Sequence, residues 1–335
     1  MRLKGLISIL LASFFMFVSC GSNNSSDKNQ ASEEETLPAN WAERLGYPAG
    51  KKVIVLHADD AGMCEEANIA VKSMLAEGHI QSAAVMMPCP NAEDMIEWAK
   101  EHPDVDVGLH LTLTSEWKEY RWPSVSPVDE VPSLIDEEGK LWHEVPDVVQ
   151  HASAEDVAKE VRAQIEKSLA MGYRPDHIDT HMGALFGHPD YTKAYMQIAM
   201  EYGIPAMVID MGDPEVVARY KETGYPVTDE MIKYMESYTL PKLDNFTSAP
   251  NAKTYEEKVA AFQGLIKSLQ PGLTEIIFHP SVGTENLKSI TGSWQQRIWE
   301  AEMFADPELI QFFEDEGIIF TNWKEIMKRF NANKS

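Results

Sequence analysis

Four apolar stretches of this sequence each run into residues that bind metals or move protons. The first leads to His57-Ala58-Asp59-Asp60-Ala61-Gly62 and the second to Gly108-Leu109-His110-Leu111-Thr112. The third leads to Asp176-His177-Ile178-Asp179-Thr180-His181 and the fourth to Phe278-His279-Pro280. Packing alone gives no reason for apolar segments to end this way. A catalytic metal commonly takes three protein side chains and leaves a position for water. Imidazole and carboxylate suit Zn²⁺ and related divalent ions, and Asp60, His110 and His181 offer one carboxylate and two imidazoles. Taken singly, either histidine reads as a hydrogen-bonded core residue; the set does not. Successive strand residues point to opposite faces, so Asp59 and Asp60 share one cleft only where a strand turns into a loop. There, one carboxylate can bind the ion while the other accepts a proton from the attacking water. His279 can protonate a leaving amine or stabilise an oxyanion, or it is a structural strand-end histidine. Asp179, two residues before His181 and so on the same strand face, can orient a ligand or bond only to nearby backbone.

These residues need elements that bring them to one place. Short apolar runs alternate with amphipathic stretches, the pattern of β/α units. Strands are expected at 53–56, 83–87, 105–111, 177–180, 206–209, 275–278 and 318–321. Helices are expected at 65–77, 92–100, 154–171, 191–202, 255–269, 307–316 and 323–330. About seven strands with helices between them fit an irregular, closed parallel (β/α) barrel, in which strand ends converge on one catalytic face. A doubly wound open sheet is the other arrangement this order allows. Two stretches break the alternation, 115–150 and 211–250, and long loops of this kind tend to be functional or disordered. The first carries Trp117, Tyr120, Trp122 and Trp142. Trp117, Trp122 and Trp142 are candidate platforms for a sugar ring, or they pin the loop to the domain.

The 335 residues carry a formal net charge of -24. That argues against a nucleic-acid partner, whose phosphates need Lys and Arg, and against electrostatic adhesion to anionic lipid. Arg2 and Lys4 precede an apolar run from Leu6 to Val18, which fits the core of a secretory signal. Phe17-Val18-Ser19-Cys20-Gly21 resembles a bacterial lipobox. The expectation is a leader at 1–19, a lipid-anchored Cys20 in the cell envelope, a polar tether over 20–40 and one domain over 41–335. An ordinary signal peptide with an incidental Cys20 is the alternative. Cys64 and Cys89 lack zinc-finger spacing; an extracytoplasmic location permits a disulfide between them, and two free thiols are the default. The oligomeric state is open, a homodimer included.

The motifs taken together resemble the YdjC-like family of carbohydrate deacetylases. The matching stretches are Ala58-Asp59-Asp60-Ala61-Gly62-Met63, Asn68, Gly78-His79-Ile80-Gln81-Ser82-Ala83, and Val107-Gly108-Leu109-His110-Leu111-Thr112. Pro132-Ser133-Leu134-Ile135-Asp136, Ile178-Asp179-Thr180-His181-Met182 and Glu275-Ile276-Ile277-Phe278-His279-Pro280 follow in the same order. The resemblance implies an irregular β/α barrel and hydrolysis of an N-acetyl group from an amino sugar or oligosaccharide. It implies one divalent ion, Zn²⁺ or Mg²⁺, held by Asp60, His110 and His181. Asp59 would be the general base and His279 the acid or transition-state stabiliser. The chain departs from the family pattern at Ala61, usually aromatic, and at Gly183, often histidine; both bear on the identity of the sugar. Two rivals remain. A glycoside hydrolase needs two carboxylates about 5 to 9.5 Å apart across the scissile bond, for which neighbouring aspartates are poorly placed. A non-catalytic glycan-binding lipoprotein explains the anchor and the aromatic loop, but not four polar strand ends.

Overall fold

The computed structural model describes residues 40–222 and 227–333. The leader, Cys20 and most of the tether lie outside the described residues. No described helix is long and apolar enough to cross a membrane.

Seven strands form one sheet: β1 (Lys52–Ala61), β2 (Ser82–Val85), β3 (Val107–Leu111), β4 (Ile178–Thr180), β5 (Asn245–Ser248), β6 (Gly272–Phe278) and β7 (Ile319–Phe320). Their order is β4-β3-β2-β1-β6-β5, and every pairing is parallel. β1 begins as a continuous apolar run, Val53-Ile54-Val55-Leu56, with every one of these residues buried. Such runs suit parallel strands covered on both faces. β6 occupies one edge of β1 from Lys52 to Ala58. β2 takes the other edge from His57 onward, and β7 pairs with Val53 and Ile54, the stretch of that edge that β2 leaves free.

The sheet curls toward closure through residues that are not regular strands. Ile178 bridges Ala206, and Ile209 bridges Leu243, both in parallel. The links are Met207 N–H to Ile178 O (2.9 Å) and Leu243 N–H to Val208 O (2.8 Å). The strand expected at 206–209 is therefore a bridging segment between β4 and β5, with too few ladder bonds to count as a strand. The result is the irregular parallel barrel rather than an open doubly wound sheet.

Both excursions carry more regular structure than their sequence suggests. Residues 115–151 end in a helix, Val145–His151, and contain a 3₁₀ turn at Pro132–Leu134. Residues 211–250 contain helices Pro214–Glu222 and Asp229–Ser237 and the strand β5. Helices Glu285–Ile290 and Trp294–Met303 were likewise not evident from periodicity.

Beneath the strand ends the barrel interior is polar. His57 Nδ1 lies 3.0 Å from Ser82 Oγ, which donates to Asp106 Oδ1 (2.7 Å); that same oxygen is 3.1 Å from His177 Nδ1. Trp323 Nε1 donates to Glu275 Oε2 (2.8 Å) and its ring stacks on His177. A Cβ on Gly108 would stand 2.4 Å from His177 Nε2. Only glycine at this position lets the imidazole fill the interior.

Candidate metal centre

The tandem aspartates come together through a break in β1. Between Ala58 and Ala61 the register with β2 shifts: three steps along β1 match two along β2, from Ala83 to Val85. The extra residue is a β-bulge, a device that re-aims side chains next to active sites. Asp60 takes the left-handed conformation (φ 62), which costs an L-residue roughly 1–2 kcal/mol. The strict alternation of a strand is thereby broken, and Asp59 and Asp60 face one cleft. The turn beyond is fixed by Asn68, whose Oδ1 accepts from Gly62 N–H (2.7 Å) and whose Nδ2 donates to Asn91 O and Asp94.

His110 from β3, His181 just past β4 and Asp60 present donor atoms within 4.8 Å of one another. Asp60 Oδ1 is 3.6 Å from His110 Nε2 and 3.4 Å from His181 Nδ1. Tetrahedral ligands about 2.1 Å from a zinc ion stand about 3.4 Å apart. Asp60 Oδ1 is also buried without a hydrogen-bond partner among the described residues. A buried carboxylate oxygen facing two imidazole nitrogens at this spacing fits a divalent ion.

Each of the three candidate donors is held from behind. His110 Nδ1 bonds Asp179 Oδ1 (2.6 Å), which leaves Nε2 for the ion. His181 Nε2 bonds both oxygens of Glu116 (3.1 and 3.2 Å), leaving Nδ1 for the ion. Asp60 Oδ2 accepts from Arg297 Nη2 (2.6 Å). Burial alone would raise the Asp60 carboxyl, but Arg297, with His279 and His181, holds it well below the usual carboxylate range. Burial likewise opposes the charged form of His181; Glu116 and Asp60 outweigh it and raise this imidazole to about 10. A metal binding here therefore displaces protons.

Asp59 and His279 face one another beside this set, with Asp59 Oδ2 3.9 Å from His279 Nε2. Asp59 Oδ1 lies 3.2 Å from His57 Nε2, which is also 2.9 Å from Asp179 Oδ2. Burial would lower the pKa of His57, but Glu275, Asp179 and Asp59 hold it well above the ordinary imidazole range. The His57 imidazole thus stands between the carboxylates of Asp59 and Asp179. The peptide N–H of His279 donates to Glu300 (2.8 Å), itself paired with buried Lys258.

The structure brings together Asp59, Asp60, His110, Asp179, His181 and His279. It does not present all three tryptophans to a ligand. Trp122 is buried, with Nε1 donating to Thr114 O (2.9 Å). Trp142 Nε1 donates to Ser133 O, and its ring stacks on His151. Trp122 is packed into the core, where the buried indole N–H must be satisfied, whereas the half-buried Trp142 ties parts of the excursion to one another. Trp117 is half-buried under the Arg297 guanidinium (5.8 Å to the ring centroid), next to the metal set. Cys64 and Cys89 are free and buried; burial pushes the Cys64 thiol up to about 12 and Cys89 well above its usual value. Arg297 and Glu116 were missed by sequence reasoning. Neither belongs to a strand end, and their partners lie 237 and 65 residues away.

The model of the family described as YdjC-like protein matches residues 53–315. A protein of Thermus thermophilus named carbohydrate deacetylase is 29% identical, with 78% of this chain and 89% of that protein covered. One of the same name from Thermoanaerobacter pseudethanolicus is 25% identical, with 81% and 98% covered. A solved structure from Enterococcus faecalis V583, provisionally named a cellobiose-phosphate cleavage protein, superimposes with a TM-score of 0.68 at 23% identity. It covers 83% of this chain and 99% of that one, and shows the same fold. The match runs from the first strand to beyond Arg297 and takes in every residue of the metal set, and so this chain belongs to the YdjC-like protein family.

Proposed function

We propose that this protein is a metal-dependent carbohydrate deacetylase, hydrolysing the N-acetyl amide of an amino sugar or oligosaccharide. One observation carries the reading: the unpartnered, buried Asp60 Oδ1 facing His110 Nε2 and His181 Nδ1, with Asp59 and His279 alongside. Relatives named carbohydrate deacetylase, matched along nearly their whole length, support it. Asp60, His110 and His181 would hold the ion, and two imidazoles favour Zn²⁺ over Mg²⁺, which prefers oxygen ligands. Bound there, a divalent ion polarises the amide carbonyl and makes a water more acidic.

The remaining work falls to side chains. Asp59 accepts the proton of the attacking water, and the His57 imidazole behind it fixes its orientation. His279 protonates the leaving nitrogen, so that acetate and a free amino sugar depart. Arg297 and Asp179 keep Asp60 and His110 in their ligand states. A glycoside hydrolase is disfavoured because neighbouring Asp59 and Asp60 are poorly placed to flank a glycosidic bond, and His110 and His181 would go unused. A lipid anchor at Cys20 and residence in the cell envelope belong to this proposal and rest on the sequence of the leader.

The test is acetate release from a panel of N-acetylated mono- and oligosaccharides. It is run with chelator and with added Zn²⁺, Mg²⁺, Mn²⁺ or Ni²⁺, with His110→Ala as control. Metal-dependent acetate from the wild type and none from the variant is expected. No acetate and no bound metal would overturn the mechanism and promote a glycan-binding role.

A further inference from the structure

The space beside the metal set has two unlike sides. Toward the first excursion stand Glu116, Trp117, Tyr120 and Arg297, polar and aromatic groups of the kind that hold a sugar. Arg297 Nη1 is buried with no hydrogen-bond partner among the described residues, a donor left over for a ligand oxygen. Toward the second excursion opens a chamber of about 270 Å³ whose walls begin at Asp59, His110, His181 and His279 themselves. Its further walls are mainly apolar, with Phe186, Met207, Met211, Met231, Met235 and Phe246, and polar groups enter only at Asp179, Thr180, Tyr220 and Glu275. One water needs only about 10–15 Å³ of such space, so the chamber holds far more than a methyl group. Sugar hydroxyls would find few partners there, and burying unpartnered hydroxyls is costly. Methionine, unbranched and polarisable, shapes itself around flexible aliphatic groups.

Resting on the deacetylase reading, we propose that the N-acyl group occupies this chamber and that the preferred substrates are amino sugars bearing aliphatic N-acyl chains longer than acetyl. The reacting carbonyl carbon carries the acyl chain on one side and the sugar nitrogen on the other, and the mainly apolar chamber that opens from the same residues suits the chain. The sugar, as the leaving amine, lies on the Trp117–Arg297 side. The reaction balances as simple hydrolysis. Water adds to the carbonyl, the C–N bond breaks, the nitrogen takes a proton, and a fatty carboxylate and a free amino sugar result.

The experiment compares two series on the metal-loaded protein. N-acetyl-, N-butanoyl-, N-hexanoyl- and N-octanoylglucosamine vary the acyl chain; methyl, butyl and octyl glycosides of N-acetylglucosamine vary the other end. Burial of one methylene is worth ~0.8 kcal/mol, so kcat/KM for amine release is expected to rise about fourfold per added methylene until the chamber is full. The glycoside series should stay flat. Met235→Trp, which fills the chamber, should lower the hexanoyl-to-acetyl ratio at least tenfold. A flat or falling acyl series, or a rise along the glycoside series instead, overturns the proposal. Calorimetric titration of metal-loaded Asp59→Asn with N-hexanoyl- and N-acetylglucosamine reads the chamber without turnover, and equal affinities also overturn it. Should no substrate release amine while N-hexanoylglucosamine still binds more tightly, the deacetylase reading fails and the acyl chamber stands.

Discussion

The two excursions flank the Asp59, Asp60, His110, His181 and His279 cluster and are built on opposite principles. Residues 115–151 are held by directional bonds. Arg121, with its side chain 6% exposed, reaches Asp136 (2.6 Å), Glu138, His143, Leu141 O and Ser115. Glu160 accepts the backbone N–H groups of Val125 and Ser126. Residues 211–250 contribute two short helices; Pro214–Glu222 buries Tyr220, and Asp229–Ser237 buries Met231 and Met235. Hydrogen bonds fix one geometry, whereas methionine packing tolerates several. The difference matches the ligands assigned to each side: a rigid, stereochemically defined ring against one wall and a flexible chain against the other.

The contrast can be broken at its hard end first. Arg121→Ala strands the Asp136 carboxylate and frees the loop, so a loss of about 3–5 kcal/mol is expected. It should bring selective proteolysis within 115–145, read by denaturant unfolding and limited digestion. A loss below about 1 kcal/mol would mean that the tryptophans alone hold the segment. The floor beneath the chamber comes next. Burial raises the Glu275 carboxyl from 4.5 to about 7. The unfolded chain gives up this proton near 4.5, so between those values the folded state binds the extra proton and stability falls as pH rises, levelling off above about 7. Glu275→Gln keeps an acceptor for Trp323 and should remove that slope, a gain on the order of 3 kcal/mol at pH 8; an unchanged Tm profile between pH 4.5 and 8 would refute the assignment. The soft end gives the smallest effect. Met231→Leu conserves volume and should cost under about 1.5 kcal/mol, with the acyl-length profile displaced but not abolished.

The metal set itself offers a fourth measurement. His181 is held protonated to about 10 without an ion, so metal binding near pH 7.5 should release at least one proton, and apparent affinity should climb with pH. Calorimetry in buffers of different ionisation enthalpy reads the number; zero release would remove His181 from the ligands.

Much of this site was legible because each of its residues ends a local pattern. His110 and His279 follow apolar runs that could only be buried strands, and the doublet Asp59-Asp60 announces a departure from alternation. The bulge that realises that departure was not legible, since it depends on how β2 pairs with β1. Arg297 carries no mark in its own helix; only the fold tells it from any other arginine. The loop tryptophans left two readings open for the same reason: an aromatic residue in a long loop has the same local appearance whether it meets a ligand or the core, and only the fold buries Trp122. The segment 206–209 has strand composition, yet its neighbours supply a single bridge on each side, and ladder length is a property of partners rather than of sequence.

The placement of β1 has a consequence in time. It pairs with β6 from Lys52↔Gly272 to Ala58↔Phe278 and with β7 at Ile319, so the first strand made waits for the last. At synthesis rates of about 5–20 residues per second, the nascent chain carries Val53-Ile54-Val55-Leu56 without its flanking partner for tens of seconds at the slower rates. Such non-local pairing folds slowly and exposes an aggregation-prone edge meanwhile. The Asp60–Arg297 contact closes over the same span, so the ligand set is among the last features to assemble. Capture of an ion by a growing or refolding chain would therefore mark the completion of the barrel and act as a timestamp for its final step.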